Sequence, residues 1–287
     1  MLMNMKDLLA VAKENNFAIP AFNICDYDMF QGIMKTCEET NSPVILEVHP
    51  VEFAFVGRDL IDAIVIRAHK SPVPVCLHLD HCGDFGTIVC AIQAGFTSVM
   101  FDGSLLSFEE NIEGAKKVCE IAHPANVSVE AELGTIGSVD EQAEEGAEQI
   151  IYTNPDDAVK FVEATGIDTL AIAIGTSHGL YPAGLTPKLR LDILKEIKEK
   201  VNIPLVLHGG SNNSDEEVGQ AVTLGINKIN IASDIKVAYY TKMREVLQDK
   251  TLREPHAIQP ACTAAMQQVV MHKLELFQTL GKAELYK

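Results

Sequence analysis

Short apolar runs rich in β-branched residues alternate with longer amphipathic stretches along the whole of this 287-residue chain. The runs predicted as strands cover residues 18–22, 44–48, 73–79, 98–101, 127–132, 169–174, 205–207 and 228–231. Strands that are apolar throughout and separated by helices favour a parallel sheet with both faces covered. Eight strand–helix units therefore predict an α/β fold closed as a (β/α)8 TIM barrel.

Helical periodicity predicts the segments that connect these strands. They cover residues 29–40, 59–69, 85–94, 109–121, 156–165, 189–200, 215–224 and 235–248. The same pattern predicts an extra helix over residues 5–15, which closes the bottom of the barrel. It also predicts a final helix past the eighth unit, over about residues 261–280. We expect one domain over residues 1–287. An open doubly wound sheet is the alternative, and the lack of a GxGxxG motif after the first strand disfavours it.

Composition excludes several classes of function. A formal charge of −17 argues against a nucleic-acid surface. No apolar run reaches the roughly 18–20 residues of a membrane span, and the first 16 residues lack the apolar region of a signal peptide. The seven cysteines form no CxxC pair, which is typical of reduced thiols in a cytoplasmic protein. We therefore expect a cytoplasmic protein that acts on a small molecule.

Three histidines directly follow apolar strand runs: His81 in LHLDH, His178 in AIAIGTSHG and His208 in IPLVLHGG. The carboxyl ends of barrel strands meet at one mouth, so these side chains are expected to converge. Neutral imidazole is a good zinc ligand, and three protein ligands leave a coordination position open. The pattern predicts metal-assisted chemistry, although glycine turns that merely end a strand would also place HG at two of these sites.

Carboxylates accompany the histidines. Asp80 and His78 point to the same side of a strand, and we assign Asp80 to proton transfer and His78 to orienting a neighbour. Glu130 and Glu132 share one face of VEAELG, where one of them could bind metal or hold a ligand histidine. The alternative is a buried pair of acids bonded to lysine or hydroxyl groups. Asp102 in MFDGS is either an acceptor for a substrate hydroxyl or a turn former.

Glycine and serine at the ends of the later strands predict an anion site, because backbone N–H groups near a helix start can bind phosphate. The residues predicted for this site are Gly179, Gly209, Gly210 and Ser211. The last strand ends in NKINIAS. There Asn230 could hydrogen-bond a substrate, and Ser233 could cap the next helix, join the phosphate site, or do both.

Taken together, the motifs LHLDH, DGS, VEAELG, AIGTSHG, PLVLHGGS and INIAS resemble the class II ketose-bisphosphate aldolases, a zinc-dependent (β/α)8 family. The resemblance implies Zn²⁺ held by the three histidines with Glu132 near it, and a monovalent cation (Na⁺ or K⁺) is a further candidate. It also implies Asp80 as the acid/base near the aldehyde end. The residues that match the family's positions for binding dihydroxyacetone phosphate are Asn230, Gly179, Gly209, Ser211 and Ser233.

The acidic segment VDEQAEEGAEQ at residues 139–149 is either a solvated loop or a mobile lid over the barrel mouth. The aldolase family uses an acid from such a lid to move the proton of the triose. Asp140 stands at the matching place, with Glu141 beside it, and the choice between them is open.

Other positions concern the sugar. Ala232 and Lys236 are similar to the tagatose-type pattern, which favours tagatose 1,6-bisphosphate. His49 stands where the family often has serine or threonine. The segment EPHAIQP lacks the arginine that many members direct at a distal phosphate. We include Lys236, His49 and Asp102 among the predicted substrate-binding residues, and leave open whether the substrate is a ketose 1-phosphate or a 1,6-bisphosphate.

The sequence leaves three alternatives open. The chain could be a metal hydrolase, a non-catalytic structural partner or chaperone, or an aldolase for another phosphorylated ketose or an intermediate of inositol breakdown. The resemblance implies a homodimer or homotetramer, for which the apolar C-terminal helix is a candidate interface. The other reading is that this helix packs on its own barrel.

Overall fold

The computed structural model describes residues 1–139, 150–182 and 187–287. Its strands, in chain order, are β1 (Ile19–Asn23), β2 (Val44–Val48), β3 (Val75–Cys82), β4 (Ser98–Phe101), β5 (Ser128–Leu133), β6 (Gly137–Ser138), β7 (Thr169–Ile172), β8 (Ser177–His178), β9 (Leu205–Leu207) and β10 (Ile226–Ile231). Eight of them form a closed parallel barrel in the order β1, β10, β9, β7, β5, β4, β3, β2, and the two-residue strands β6 and β8 pair separately.

The helices in the described residues cover the barrel. They are α1 (Met5–Glu14), α2 (Tyr27–Glu39), α3 (Pro50–Lys70), α4 (Phe85–Ala94), α5 (Phe108–Ala122), α6 (Pro155–Thr165), α7 (Leu191–Lys200), α8 (Asp215–Thr223), α9 (Ser233–Val246) and α10 (Pro255–Leu276). Several begin at polar caps. Ser107 and Glu110 form a capping box at α5, and Asn154 accepts two backbone N–H groups at α6.

The predicted (β/α)8 barrel is confirmed. All eight predicted strands are present, and β1 pairs in register with β10, which closes the sheet and shows that the open-sheet alternative is wrong. The largest difference is in α3, which begins at Pro50 instead of residue 59. The His49 ring accepts the N–H of Val51, and proline is favoured at the first helical position. Gly57, at φ 70°, interrupts this helix, so the helical periodicity of the sequence does not extend over its full length.

The two ends of the barrel differ. Helix α1 closes the bottom by burying Met5, Leu8 and Leu9 against interior residues such as Ile19 and Cys76. The carboxyl ends of the strands form the opposite mouth. The last helix, α10, packs on α2 and α9 of its own chain and buries one apolar face there. No helix among the described residues combines the length and apolarity that a membrane crossing requires.

Candidate metal centre and active site

A bulge in β3 brings two neighbouring residues to the barrel mouth. Side chains alternate along a regular strand, so Asp80 and His81 would normally point to opposite faces. The register with β4 shifts between Leu79 and Cys82, and His81 has a left-handed backbone at φ 38°. An extra residue of this kind re-aims the side chains that follow it. The His81 Nε2 atom consequently lies 3.9 Å from Asp80 Oδ1, and both side chains serve one site.

The three predicted histidines converge. The ring centroids of His81 and His178 are 4.8 Å apart, and those of His81 and His208 are 4.5 Å apart. One ring nitrogen from each of the three histidines lies within 4.8 Å of the other two. His178 reaches the group through β8, which pairs with β6 beside the barrel mouth. Imidazoles from three separate strand ends therefore face one another, as a metal site requires.

Carboxylates hold two of these rings by the nitrogen that faces away from the centre. Asp102 Oδ2 lies 2.8 Å from His81 Nδ1, and Glu130 Oε1 lies 2.7 Å from His208 Nε2. The other nitrogens, His81 Nε2 and His208 Nδ1, are buried and make no hydrogen bond among the described residues. Ligand histidines typically bond a carboxylate on one side and the metal on the other. The residues present therefore fit a divalent metal ion.

The structure separates the roles of the two glutamates of VEAELG. Glu130 orients His208, whereas Glu132 Oε2 lies 3.2 Å from His208 Nδ1 and forms a second group with His81 and Asp102 that could bind metal. Asp102 is also the turn former that was one of its two predicted roles. Its Oδ1 atom accepts hydrogen bonds from the backbone and hydroxyl of Ser104, so both oxygens are engaged and the carboxylate is fixed against His81.

Asp80 is fully buried, and two amides orient it. Asn23 Nδ2 donates to its Oδ2 atom at 2.9 Å, and Asn230 Nδ2 donates to its Oδ1 atom at 3.1 Å. Burial alone would raise the pKa of Asp80, but the charges of His81 and Lys228 outweigh it and hold this pKa well below its usual range. The side chain is therefore an oriented carboxylate beside the three-histidine cluster, as a proton acceptor must be.

Beneath Asp80 lies a buried ionic group in which Glu130 bonds a lysine, as the alternative for VEAELG allowed, and in which the part of Glu47 was not predicted. Lys228 Nζ lies 2.7 Å from Glu47 Oε1 and 3.0–3.1 Å from both oxygens of Glu130. Burial would lower the pKa of Lys228, but Glu130 and Glu47 raise it well above its usual value. Lys228 is thus held as an ammonium ion. His78 completes the group by bonding Ser98 Oγ at 2.9 Å. Glu47 and Asn23 could have been found from the sequence, since each is a polar residue in an otherwise apolar strand.

The predicted phosphate site lies where β9 and β10 meet the start of α9. Gly210 N donates to Asn230 O, and Ser211 Oγ accepts the N–H of Asp234. Gly209 has φ 61°, and a Cβ there would lie 2.7 Å from Ser177 O, so this close approach requires glycine. Ser233 is the first residue of α9, which has no side-chain cap, and its predicted capping role is not seen. Gly179 lies on the adjoining loop.

A cavity of about 450 Å³ adjoins the three-histidine cluster. His49 and Ser104 line it together with His81, Asp102, Glu132 and His178. His49 lies at the start of α3, and burial lowers its pKa. Lys236 Nζ pairs with Glu52 Oε1 at 3.3 Å near this end of α3. The predicted lid acids Asp140 and Glu141 lie outside the described residues.

Comparisons with known proteins agree on a family. The model of the class-II fructose-bisphosphate aldolases matches residues 3–282. The D-tagatose-1,6-bisphosphate aldolase subunit GatY of Klebsiella oxytoca is 40% identical over 272 residues, which are 94% of this chain and 95% of that protein.

Solved structures are also similar. The YdjI aldolase of Escherichia coli K12 has 33% identity and a TM-score of 0.85, over 99% of this chain and 100% of that one. A putative fructose-1,6-bisphosphate aldolase of Coccidioides immitis has 28% identity and a TM-score of 0.88, over 98% of each chain. The chain therefore belongs to the metal-dependent class II fructose-bisphosphate aldolase family and is an aldolase, a carbon–carbon lyase.

Proposed function

We propose that the protein is a zinc-dependent aldolase that reversibly cleaves a ketose 1-phosphate or 1,6-bisphosphate to dihydroxyacetone phosphate and an aldehyde. Tagatose 1,6-bisphosphate, which gives glyceraldehyde 3-phosphate, is the favoured substrate. The observation that carries the proposal is the group of three imidazole nitrogens within 4.8 Å of one another, next to the oriented Asp80 carboxylate. Zinc is proposed because nitrogen donors suit it. A monovalent cation stays a prediction.

In this proposal His81, His178 and His208 hold the metal, with Glu132 as a nearby fourth donor. The bound ion would supply Lewis-acid stabilisation of the negative charge that develops on substrate oxygens as the carbon–carbon bond breaks. Two further roles are assigned by the family resemblance. Asp140 or Glu141 returns the proton to the triose carbon, and Gly179, Gly209, Ser211 and Ser233 bind its phosphate, whereas the N–H of Gly210 already donates to Asn230 O.

The residues of the chain position the sugar and move its protons. Asp80, held by Asn23 and Asn230, accepts the proton of the C4 hydroxyl as the C3–C4 bond breaks, which releases the aldehyde. Asn230 Oδ1 makes no hydrogen bond among the described residues, so it can also accept one from the substrate. Lys228 cannot form a Schiff base readily, because two carboxylates keep it protonated.

Metal removal and trapping test this mechanism together. Treatment with a chelator should abolish cleavage of tagatose 1,6-bisphosphate, and added zinc should restore it. Borohydride with substrate should trap no covalent adduct. His208→Ala should lower the zinc-to-protein ratio, whereas the control His272→Ala, at a half-exposed surface site, should not. Activity that survives complete zinc removal, or a trapped lysine adduct, would overturn the proposal.

Substrate assays address the sugar. We expect cleavage of tagatose 1,6-bisphosphate to exceed that of fructose 1,6-bisphosphate in kcat/KM. The reverse order would reject the tagatose assignment and leave the aldolase mechanism intact. Exchange of solvent hydrogen into dihydroxyacetone phosphate is expected from an aldolase and not from a metal hydrolase.

We also propose a homodimer or homotetramer in the cytoplasm. The relative from Klebsiella oxytoca is called a subunit, and all seven cysteines are unpaired, six of them buried, which suits a reducing compartment. Light scattering on the purified protein tests the oligomer, and a monomeric mass would reject it.

A further inference from the structure

Glu47 is a fully buried carboxyl group to which the proposed mechanism assigns no task. It lies in the middle of the barrel at the end of β2, and one of its oxygens is within 4.8 Å of ligand atoms of both His78 and Asp80. Lys228 Nζ lies 2.7 Å from Glu47 Oε1, so an ammonium ion already stands where a metal ion would have to bind. We therefore ask which of these groups carries a proton, and do not treat them as a second metal site.

The charges around Glu47 do not balance if every acid is ionised. Three carboxyl groups, those of Glu47, Asp80 and Glu130, lie around the ammonium of Lys228. His81 lies against Asp80 and His208 against Glu130, so Glu47 depends on Lys228 alone for a positive partner. His78 adds no positive charge, because burial and Lys228 lower its pKa to about 3. Two buried carboxylates this close cannot both stay charged without compensation, so one of the acids is expected to keep its proton.

Hydrogen bonding stabilises the three carboxylates unequally. Asp80 accepts one amide N–H on each oxygen, which favours its charged form. Glu130 accepts from Lys228 on both oxygens and holds His208. Among the described residues, the charged partner of Glu47 is the Lys228 ammonium that it shares with Glu130, and the His78 Nε2 atom at 4.0 Å belongs to a neutral ring. Neither oxygen of Glu47 makes an aligned hydrogen bond. Glu47 is the least stabilised anion of the three.

We propose that Glu47 holds a proton at neutral pH and acts as a positioning residue that keeps Asp80 the only anion of this pair. The inference rests on the proposed role of Asp80. It agrees with the pKa of Glu47, which burial and the charge of Asp80 raise to about 8 against the opposing effect of Lys228. The groups that face Glu47 are His78 and Asp80 on β3, Glu130 on β5 and Lys228 on β10.

Ionisation of Glu47 above this pH would add a buried negative charge beside Asp80. Cleavage builds negative charge on the substrate close by, so the ionised form should be less active. If only the protonated form is active, a pKa of about 8 makes kcat fall about tenfold between pH 7 and pH 9.

Infrared spectroscopy and the pH profile of kcat test this directly on the zinc-loaded enzyme. At pH 7 the wild type should show the carbonyl stretch of a protonated carboxyl group, which disappears near pH 8 and is missing in Glu47→Gln. The amide imitates the protonated acid, so kcat of this variant should stay level from pH 7 to pH 9. Asp168→Asn, which changes a buried acid at the bottom of the barrel, should keep the wild-type profile.

Two results would overturn the inference: a wild-type spectrum at pH 7 without a protonated carboxyl band that depends on Glu47, or a Glu47→Gln variant with the same alkaline decline in kcat as the wild type. The spectrum of the wild type decides the matter if the variant does not fold, because a missing band at pH 7 is sufficient. If the aldolase proposal itself is wrong, the protein should cleave no sugar phosphate at any pH. The infrared band of Glu47 should still titrate near pH 8 in that case.

Discussion

Removing the ammonium of Lys228 should destabilise the barrel strongly. In Lys228→Met, the carboxyl groups of Glu47 and Glu130 lose a fully buried cation that lies 2.7 Å and 3.0 Å from them. Deleting one partner of a buried ion pair typically costs about 3–5 kcal/mol, because the remaining charge is uncompensated. For a chain of this length, each kcal/mol of lost stability lowers Tm by about 2 °C, so we expect Tm to fall by about 6–10 °C.

The loss of stability in Lys228→Met should increase as the pH rises. Without the ammonium, both glutamates have higher pKa values in the folded protein than in the unfolded chain. Their protonated forms are then compatible with folding at low pH, and the penalty grows as the pH rises and they must ionise. The deficit in Tm relative to the wild type should therefore be larger at pH 8 than at pH 5.

Thermal unfolding followed by circular dichroism at both pH values is the assay. Lys117→Met is the matched control, since Lys117 pairs with Glu113 on the surface at 2.9 Å and its loss should leave Tm unchanged. A Lys228→Met protein that melts within about 2 °C of the wild type at pH 8, well short of the expected shift, would refute the reasoning.

Three further predictions concern the site. Asp80→Asn should lower kcat about 10²–10⁴-fold with zinc content unchanged, and near-normal turnover would remove Asp80 from proton transfer. Glu130→Gln should weaken zinc binding about 10–100-fold in competition with a chelator, because His208 loses its orienting carboxylate, and unchanged affinity would contradict that role. Gly209→Ala should raise KM for the phosphorylated sugar, since the new Cβ would meet Ser177 O at 2.7 Å, whereas Gly219→Ala in α8 has room and should leave KM as it is. An equal KM in both glycine variants would argue against a phosphate site at Gly209.

Much of the fold was predictable because strand and helix periods are local properties. The eight barrel strands and α4, for example, follow directly from apolar runs and turn residues. The N-terminal half of α3 was missed because Gly57 interrupts the helical period and the stretch after His49 reads as a loop. The assignment of residues 1–287 to a single domain stays a prediction.

The convergence of the three histidines was predictable, and the contacts that support them were less so. His81, His178 and His208 were identified because each follows a strand, and strand ends meet at one mouth. Glu47 and Lys228 sit on strands that are far apart in sequence, so their ion pair depends on barrel closure and has no local signature. The left-handed conformation of His81 could not be predicted from the sequence either, because it follows from the register between β3 and β4.

The irregularity at the end of β3 ties the proposed base and a proposed metal ligand to one backbone distortion. Deleting a single residue there would restore regular alternation and turn one of the two side chains out of the mouth. Metal affinity and proton transfer would then be lost together, even with every reactive side chain still encoded. In directed evolution, the enzyme should therefore tolerate insertions in its outer loops far better than any change of length within LHLDH.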